Sequence, residues 1–337
     1  MTAAGGGRIP LILDVDTGID DALALLYACA SPEADLIAVT CLPGNAGPAD
    51  VARNTRAVLE LAGRADVEVA LGREAPLVRP LEITPDTHGP TGIGYATLPE
   101  PSAPLSARFA PEVLVEEARR RPGEITLITL GPLTTLATAV QIEPDLPRIL
   151  RRWVVMGGAY RVPGNTTPVS EWNVHCDPEA AAIAFGAWRA SIERAPTTTR
   201  ALAIGLDVTE SVRLLPEHVA ALVRAAPGSP VTRFIEDALR FYMEFHARYD
   251  GFYGAFVHDP LVTAAALDES LVRTAAVAVD VDTAGGIADG QTVADWRGLL
   301  GRAPNADVAE RVDGAAFLDR WVERVGRLAA ARSDVSP

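Results

Sequence analysis

Short apolar runs alternate with segments of helical spacing along this chain, and that alternation constrains the fold more than any other feature. The first runs are RIPLILD at residues 8–14, ADLIAVTCL at 34–42 and VEVALG at 67–72, with helical patterns between them. Strands that alternate with helices form right-handed βαβ units and pair in parallel. The pattern predicts an α/β fold with an open, mainly parallel sheet flanked by helices.

The same alternation continues toward the C-terminus without a clear linker or an internal repeat. It predicts further strands in EITLITLGP, RRWVVMGGAY and RALAIGLDVT, and a terminal strand pair in TAAVAVDVD and GQTVADWRG. Residues 72–109 and 159–176 are predicted to be long irregular loops, and long loops within compact domains are often functional. We predict a single domain over residues 9–330, with flexible termini at 1–8 and 331–337.

Charge and composition exclude some classes of partner and mechanism. The formal net charge is −14 at pH 7, which disfavours nucleic acid and anionic membrane surfaces as main partners. All 30 Lys and Arg positions are arginine, so a Schiff-base lysine and a phosphate-loop lysine are excluded. The cysteines, Cys29, Cys41 and Cys176, are far apart and favour a reducing compartment. We find no signal peptide and no transmembrane pattern, and therefore expect a cytoplasmic protein.

The stretch LILDVDTGIDDALALLYA crowds four aspartates where a predicted strand meets a predicted helix. Helix capping would account for Asp20 and Asp21. It leaves Asp14 and Asp16, which lie on the same face of an extended segment. Because the stretch contains no Lys or Arg, the four carboxylates repel one another unless a cation lies among them. An oxygen-preferring cation such as Ca²⁺ or Mg²⁺ would relieve that repulsion, and we predict a metal site here.

A second candidate lies in VHDPLVTAAAL, where Asp259 precedes a proline at a predicted helix start. Asp followed by Pro is typical of a helix N-cap. CDPEAAAIA repeats the pattern at Asp177, and there we predict capping. His258 distinguishes the first copy, because a histidine beside a potential metal ligand is a candidate for proton transfer. The pattern alone leaves both roles of Asp259 open.

A third candidate is PGNTTPVSEWNVHCDP, which carries Asn165, Glu171 and Asn173. Amide and carboxylate side chains hold hydroxyl groups by hydrogen bonds and suit a sugar. Glu171 and Asn173 share a face if the stretch is extended, with Trp172 turned away. Asn45, in LPGNAGP, has similar chemistry, although turn formation would also explain an asparagine there.

One alternative function follows from the DxD motif at a first strand, which haloacid-dehalogenase-like phosphatases also have. Their threonine sits one position later than Thr17, and they use a downstream lysine that this chain lacks. The phosphatase interpretation predicts Mg²⁺ dependence and release of phosphate from a phosphomonoester.

The motifs DVDTGIDDALAL, PGN, LGPLT, VVMGGAY, SEWNVHCDPEA and VHDP occur in the order found in the nucleoside hydrolases. From about residue 9 to about residue 300, the chain resembles the inosine-uridine-preferring nucleoside N-ribohydrolases. The resemblance implies a Rossmann-like nucleoside hydrolase fold and Ca²⁺-dependent cleavage of ribonucleosides into ribose and free nucleobase. It also implies a small ribonucleoside as the binding partner and a homodimer or homotetramer as the assembly.

The resemblance further implies roles for individual residues. Asp16 corresponds to a calcium ligand that also serves as general base, and His258 to the histidine that protonates the leaving base. The other implied calcium ligands are Asp21, Asp259 and the backbone carbonyl of Leu130, with Asp14 in support. The implied ribose contacts are Asp20, Asn45, Asn165, Glu171 and Asn173, with His88 and Met156 lining the pocket.

In the implied mechanism, Ca²⁺ holds a water molecule and the ribose hydroxyls while Asp16 takes the water's proton, as in inverting glycoside hydrolysis. A non-catalytic calcium- and ribose-binding protein on the same fold would be expected to have lost this base. Thr17 and Thr135 replace residues usual in the family, and neither change removes a metal ligand. We predict that base specificity comes from the loop near residues 80–95 and from FYMEFHARYDGFYGAFVHD.

Overall fold

A nine-stranded sheet runs through the computed structural model of the protein, which describes residues 7–333. The predictions for residues 1–6 and 334–337 lie outside this range. The strands are β1 Ile9–Val15, β2 Ala34–Cys41, β3 Glu68–Leu71, β4 Thr126–Thr129, β5 Arg152–Met156, β6 Ala201–Ile204, β7 Arg213–Leu214, β8 Ala255–Phe256, β9 Val272–Val281, β10 Thr292–Asp295 and β11 Ala306–Val312. The helices are α1 Ile19–Ala30, α2 Pro48–Leu61, α3 Pro85–His88, α4 Ala110–Arg120, α5 Thr134–Ile142, α6 Leu146–Ile149, α7 Trp172–Cys176, α8 Pro178–Arg194, α9 Leu206–Thr209, α10 Pro216–Ala225, α11 Pro230–Tyr249, α12 His258–Leu267 and α13 Gly314–Ala331.

The strand order is β10-β9-β11-β6-β5-β4-β1-β2-β3. The seven strands from β11 to β3 pair in parallel, and β9 is antiparallel to both β10 and β11. Strands β7 and β8 form a separate antiparallel pair. The predicted α/β fold with an open, mainly parallel sheet is therefore confirmed.

Two elements of the sheet region differ from the sequence prediction. Strand β11 was not predicted, and it lies between β9 and β6. Its second half carries the exposed charges of Glu310 and Arg311 beyond a register shift, so the segment lacks a strand's alternating pattern. The single strand predicted over RALAIGLDVT is wrong in its second half, because the chain leaves the sheet at Gly205 and forms α9.

Apolar layers cover both faces of the sheet, as β1 illustrates. Leu11 and Leu13 pack into the layer formed with α1, α2 and α11–α13. Ile12 points to the opposite face, into the layer formed with α4, α5 and α8. Successive strand residues alternate between faces, and helices on both faces explain why the strand is apolar from Ile9 to Leu13. No helix within residues 7–333 is long and apolar enough to span a membrane.

The parallel strands bring the predicted polar motifs to one edge of the sheet. Strands β1, β2, β4 and β5 end at Val15, Cys41, Thr129 and Met156. Asp16, Asn45 and Leu130 follow the first three, and ligands of open parallel sheets bind outside these carboxyl ends. The fold thus gathers segments that are far apart in sequence around a single location.

Candidate active site

The turn between β1 and α1 is closed by Asp21, at the third position of the helix. Its carboxylate accepts hydrogen bonds from the backbone N–H of Gly18 at 2.8 Å and from that of Asp16 at 3.3 Å. A carboxylate in the first turn satisfies free N–H groups and favours the positive end of the helix. Asp20 makes no such cap, so capping explains only one of the two aspartates for which it was considered.

Asp16 is held from two sides by Asn45. The backbone N–H of Asn45 donates to Asp16 Oδ2 at 2.7 Å, and Asn45 Nδ2 lies 3.2 Å from Asp16 Oδ1. The same Nδ2 lies 3.0 Å from Asp21 Oδ2, so a single amide bridges the two carboxylates. A Cβ atom on Gly44 would lie 2.1 Å from Asp16 Oδ2, and one on Gly131 would lie 2.8 Å from Asp16 Oδ1. Glycine is therefore required at both positions for the backbone to approach this carboxylate.

Asp259 joins the aspartates from the far end of the chain. It lies in the first turn of α12, whose N-cap is Val257, so the capping interpretation of Asp259 is wrong. Asp20, Asp21 and Asp259 each offer an oxygen atom, and these atoms all lie within 4.8 Å of one another. Asp16 lies beside this trio through its contacts with Asn45 and Asp21 but is not part of it. We call Asp16, Asp20, Asp21 and Asp259 the carboxylate cluster.

Burial dominates the electrostatics of the carboxylate cluster. It raises the pKa values of Asp16, Asp20 and Asp259, and the charge of Asp21 raises the pKa values of Asp16 and Asp20 further. Asp14 lies behind the cluster, where it accepts a hydrogen bond from Thr40 Oγ1 at 2.6 Å. Burial raises the pKa of Asp14 to about 7, and the hydrogen bond from Thr40 opposes that shift.

The carboxylate cluster has the chemistry of a site for a hard divalent cation. Within residues 7–333, no arginine or histidine nitrogen lies within 4 Å of a cluster carboxylate oxygen. Buried carboxylates without a counter-charge are strongly destabilising. Carboxylate and carbonyl oxygens are the ligands that Ca²⁺ and Mg²⁺ prefer. The residues present therefore fit such an ion, and a bound cation would offset the repulsion that the fold imposes.

Leu130 and Asn173 meet beside the cluster. Asn173 Nδ2 donates to the Leu130 carbonyl at 2.6 Å and lies 3.4 Å from the Met156 carbonyl. Glu171 is the N-cap of α7, and its carboxylate accepts from the backbone N–H groups of Asn173 at 2.8 Å and Gly158 at 2.9 Å. Burial raises the pKa of Glu171, and those backbone donors oppose the shift.

The predicted geometry of the SEWNVHC segment is wrong in one respect. The segment is not extended, because α7 begins at Trp172, and Trp172 faces the same cavity as Glu171 and Asn173. Asn165 fixes the approach to this turn, since its Oδ1 accepts the Trp172 backbone N–H at 3.0 Å. Capping by Asp177 is confirmed, because its carboxylate accepts from the N–H of Ala180 at 3.0 Å.

These groups surround a cavity of about 710 Å³, a size typical of small-molecule sites. Asp14, Asp16 and Asp21 are fully buried outside its lining. The other predicted site residues line it: Asp20, Asn45, His88, Leu130, Met156, Asn165, Glu171, Asn173, His258 and Asp259. The remaining wall consists of Thr84, Asp86, Thr87, Pro163, Gly164, Thr166, Trp172, Glu210, Tyr242, Phe245, His246, Tyr249, Asp250 and Phe256.

Two buried histidines line the cavity with their tautomers set by neighbouring groups. His88 Nδ1 accepts the Ile19 backbone N–H at 3.1 Å, so the neutral ring carries its proton on Nε2. His258 Nδ1 lies 2.8 Å from Thr209 Oγ1, and a Thr209 hydroxyl that donates there leaves the proton on Nε2 as well. Burial lowers the pKa of each histidine to about 3. Both rings are therefore neutral N–H donors at neutral pH.

The ends of α9 and α11 contribute polar residues that the sequence patterns do not identify. His246, Asp250 and Glu210 line the cavity but were not predicted as site residues. The sequence predicts a role in base specificity for the segment FYMEFHARYDGFYGAFVHD as a whole, without identifying its polar members. Tyr242, His246 and Asp250 recur every four residues, which places them on one face of a helix. That spacing was the available signal, whereas nothing near Glu210 in sequence marks it.

A model of the inosine-uridine preferring nucleoside hydrolase family matches residues 11–319 of the chain. The pyrimidine-specific ribonucleoside hydrolase RihA of Enterobacter sp. (strain 638) is 38% identical over 320 residues, which cover 95% of this chain and 98% of the relative. The protein of the same name from Salmonella arizonae is 38% identical over 319 residues, covering 94% of this chain and 98% of the relative.

Solved structures of nucleoside hydrolases are also similar to this chain over nearly its whole length. The purine-preferring ribonucleoside hydrolase from Gardnerella vaginalis superposes with a TM-score of 0.88 at 30% identity, covering 96% of this chain and 99% of that one. The plant nucleoside hydrolase PpNRh1 superposes with a TM-score of 0.85 at 33% identity, covering 95% and 99%. The matches extend over nearly the whole chain and so include every segment that contributes to the cavity.

Proposed function

Because this chain belongs to the inosine-uridine preferring nucleoside hydrolase family, we propose that the carboxylate cluster and its cavity are the catalytic centre. The chain is an N-glycosyl hydrolase that cleaves ribonucleosides. This identity replaces the phosphatase interpretation of the DxD motif. We place the activity in a single catalytic domain, residues 9–330, and expect a cytoplasmic homodimer or homotetramer.

The proposal includes Ca²⁺ as the resident metal. Asp16, Asp21, Asp259 and the Leu130 carbonyl would hold it, and these groups supply only oxygen atoms, as Ca²⁺ prefers. Two observations support this part: an oxygen of Asp21 and one of Asp259 lie within 4.8 Å of each other, and Asn45 Nδ2 bridges Asp16 to Asp21. When bound, the ion supplies positive charge that orients ribose hydroxyls and makes water easier to deprotonate.

The chain's own residues supply the remaining chemistry. Asp16 accepts the proton of the water that attacks C1′, and its two contacts with Asn45 fix the direction of its carboxylate. Asp20, Asn45, Asn165, Glu171 and Asn173 hold the ribose hydroxyls, which places the sugar for attack. The same carboxylates favour the positive charge that develops on the sugar ring as the glycosidic bond breaks.

The departing base takes the electron pair of the glycosidic bond. It therefore needs a group that donates a proton or a hydrogen bond to it. His258 and His88 both line the cavity, and we assign the donor role to His258. Asp14 supports the cluster from behind, and Met156 packs beside Asn173. As substrate class we propose pyrimidine ribonucleosides, on the strength of the RihA relatives at 38% identity.

The experiment that tests the proposal measures reducing sugar released from cytidine, uridine, inosine, adenosine and guanosine. We expect the wild-type protein to release ribose and the Asp16→Asn variant to lose turnover by about 10²- to 10⁴-fold, the usual contribution of a general base. Asparagine has the same size and shape as aspartate, so we expect the variant to fold. Its melting temperature serves as the control for folding. Full activity of a folded Asp16→Asn variant would refute the assignment of the base.

A further inference from the structure

The C-terminal half of α11 and the residue after α9 form one wall of the cavity, which we call the acidic wall: Glu210, Phe245, His246, Tyr249 and Asp250. It combines flat aromatic rings with two carboxylates. Such a surface differs from the sugar-binding side, where carboxylates lie at strand ends. The acidic wall is therefore a candidate for contact with the nucleobase, and this inference rests on the proposed function.

The two histidines lie where the acidic wall meets the carboxylate cluster. His88 accepts a hydrogen bond from the backbone of Ile19, beside Asp20, and its ring centroid lies 5.4 Å from that of Tyr242 on α11. His258 directly precedes Asp259, and its Nδ1 contacts Thr209, the residue before Glu210. A ribose at the cluster would therefore place its base past the histidines, against the acidic wall.

Asp250 is fixed in place by His246. Asp250 Oδ2 lies 2.7 Å from His246 Nδ1, and His246 Nε2 accepts the Phe256 backbone N–H at 3.4 Å. Both ring nitrogens of this buried histidine are thus used within the protein, which leaves it no donor for a substrate. Asp250 Oδ1 has no hydrogen-bond partner among residues 7–333, so it is an acceptor available to a ligand.

Glu210 adds a second acceptor to the same wall. Glu210 and Asp250 line the same cavity; burial raises the pKa of Glu210, and the charge of Asp250 raises it further. In the described part of the chain, no arginine lies within 4 Å of either carboxylate. A ligand edge that donates hydrogen bonds would satisfy these oxygens, whereas an edge that presents a carbonyl oxygen would be repelled.

We propose that the acidic wall selects nucleosides whose base carries an exocyclic amino group at the edge remote from the glycosidic bond, and so cytidine over uridine. Cytosine presents an amino group where uracil presents a carbonyl oxygen. The O2 carbonyl beside the glycosidic bond is common to both pyrimidines, so contacts of His88 or His258 with it would not distinguish them. The rings of Phe245 and Tyr249 pack against the flat base without distinguishing the two pyrimidines.

The test compares kcat/KM for cytidine and uridine within each variant, so that any common loss of activity cancels. We expect the wild-type protein to favour cytidine by about 10- to 100-fold, the range for a hydrogen bond to a charged group. Asp250→Asn and Glu210→Gln should each lower the cytidine-to-uridine ratio several-fold, because an amide can donate to the uracil carbonyl. Glu236→Gln, an exposed position of α11 outside this cavity, is the matched control and should keep the ratio.

A wild-type preference for uridine, or a ratio unchanged in both acidic-wall variants, would overturn the inference. p-Nitrophenyl riboside separates this failure from failure of the proposed function, because its leaving group lacks an amino group and needs no proton. If the wild-type protein cleaves it and prefers uridine to cytidine, the sugar chemistry stands and the acidic wall does not select. If the protein cleaves neither this compound nor any nucleoside, both the proposed function and the inference are refuted.

Discussion

Gly131 determines how closely the backbone after β4 approaches Asp16, the proposed general base. A Cβ atom at this position would lie 2.8 Å from Asp16 Oδ1 and 2.9 Å from its Cγ. We predict that Gly131→Ala displaces the Asp16 carboxylate and lowers kcat by about 10²-fold, since a shift near 1 Å at a catalytic group has such an effect. Steady-state kinetics of the variant test this, with Gly123→Ala, whose Cβ would meet nothing within 4 Å, as a comparison for the cost of losing glycine.

An unchanged kcat in Gly131→Ala would mean that the turn relaxes without moving Asp16. The comparison variant separates a local effect from a general one, because Gly123 has a positive φ of 78° and its replacement strains the backbone away from the cavity. We expect Gly123→Ala to lower the melting temperature while leaving turnover of the folded protein close to that of the wild type.

His258 is predicted to act on the leaving group. In the His258→Ala variant, kcat on the preferred natural nucleoside should fall by about 10²- to 10⁴-fold, the range for a lost acid catalyst. Turnover of p-nitrophenyl riboside should fall by less than about tenfold, because p-nitrophenolate departs without a proton. Parallel assays of both substrates test the role, and equal losses would argue against leaving-group assistance.

At the residue scale, the sequence predicts the site wherever a local motif carries the chemistry. Asp16, Asp20 and Asp21 lie close together in one motif, LILDVDTGIDDALALLYA. The crowding of four aspartates in that motif identifies them without knowledge of the fold. Glu210 could not be found this way, because its place in the cavity depends on α9 leaving the sheet at Gly205. Hydrogen-bond partners such as Asn45 for Asp16, 29 residues apart, are likewise set by packing and not by a motif.

Arg79 links its own loop to α8 and to the segment before β10, near one wall of the cavity. Its guanidinium contacts Glu179 on α8 at 2.8 Å and Asp289 before β10 at 3.0 Å, with a second, shorter contact to Asp289. These contacts hold the loop that leads into Thr84 and α3, whose residues line the cavity. A partly exposed network of this kind contributes modestly, on the order of 1 kcal/mol.

We predict that Arg79→Met raises KM for the nucleoside by about two- to fivefold with little change in kcat, because the loop wall becomes less ordered while the cluster is untouched. Steady-state kinetics at low and high salt provide the measurement. Arg64→Met, which breaks an exposed pair with Asp66 outside the cavity lining, is the matched control. The prediction fails if the two variants have the same KM.

At the element scale, the sequence predicts regular elements well and short irregular ones poorly. Helices such as α11 and α13 carry long amphipathic patterns that determine them locally. Helix α7 has five residues inside a loop, and its start depends on the Glu171 carboxylate accepting two backbone N–H groups. Strand β11 forms because it pairs with β6 and β9, which are distant in sequence. Its charged second half lacks the alternating pattern by which a strand is predicted.

Across the whole molecule, the sheet and the helices that follow its strands hold the carboxylate cluster in place. Segments near residues 16, 45 and 130 meet because parallel strands share one carboxyl edge, and Asp259 joins them from the first turn of α12, which packs against α1. The apolar layers on both faces of the sheet exclude water from Asp14, Asp16 and Asp21, which are at most 1% exposed. Burying like charges at this depth is costly, and we propose that a bound cation offsets that cost.

We propose that this centre hydrolyses ribonucleosides through a bound calcium ion. The most direct measurement is ribose release from cytidine and uridine by protein treated with a chelator, with its metal content determined by elemental analysis. We predict that chelation abolishes ribose release and that added Ca²⁺ restores it. Full activity of protein shown to contain no metal would contradict calcium-dependent hydrolysis.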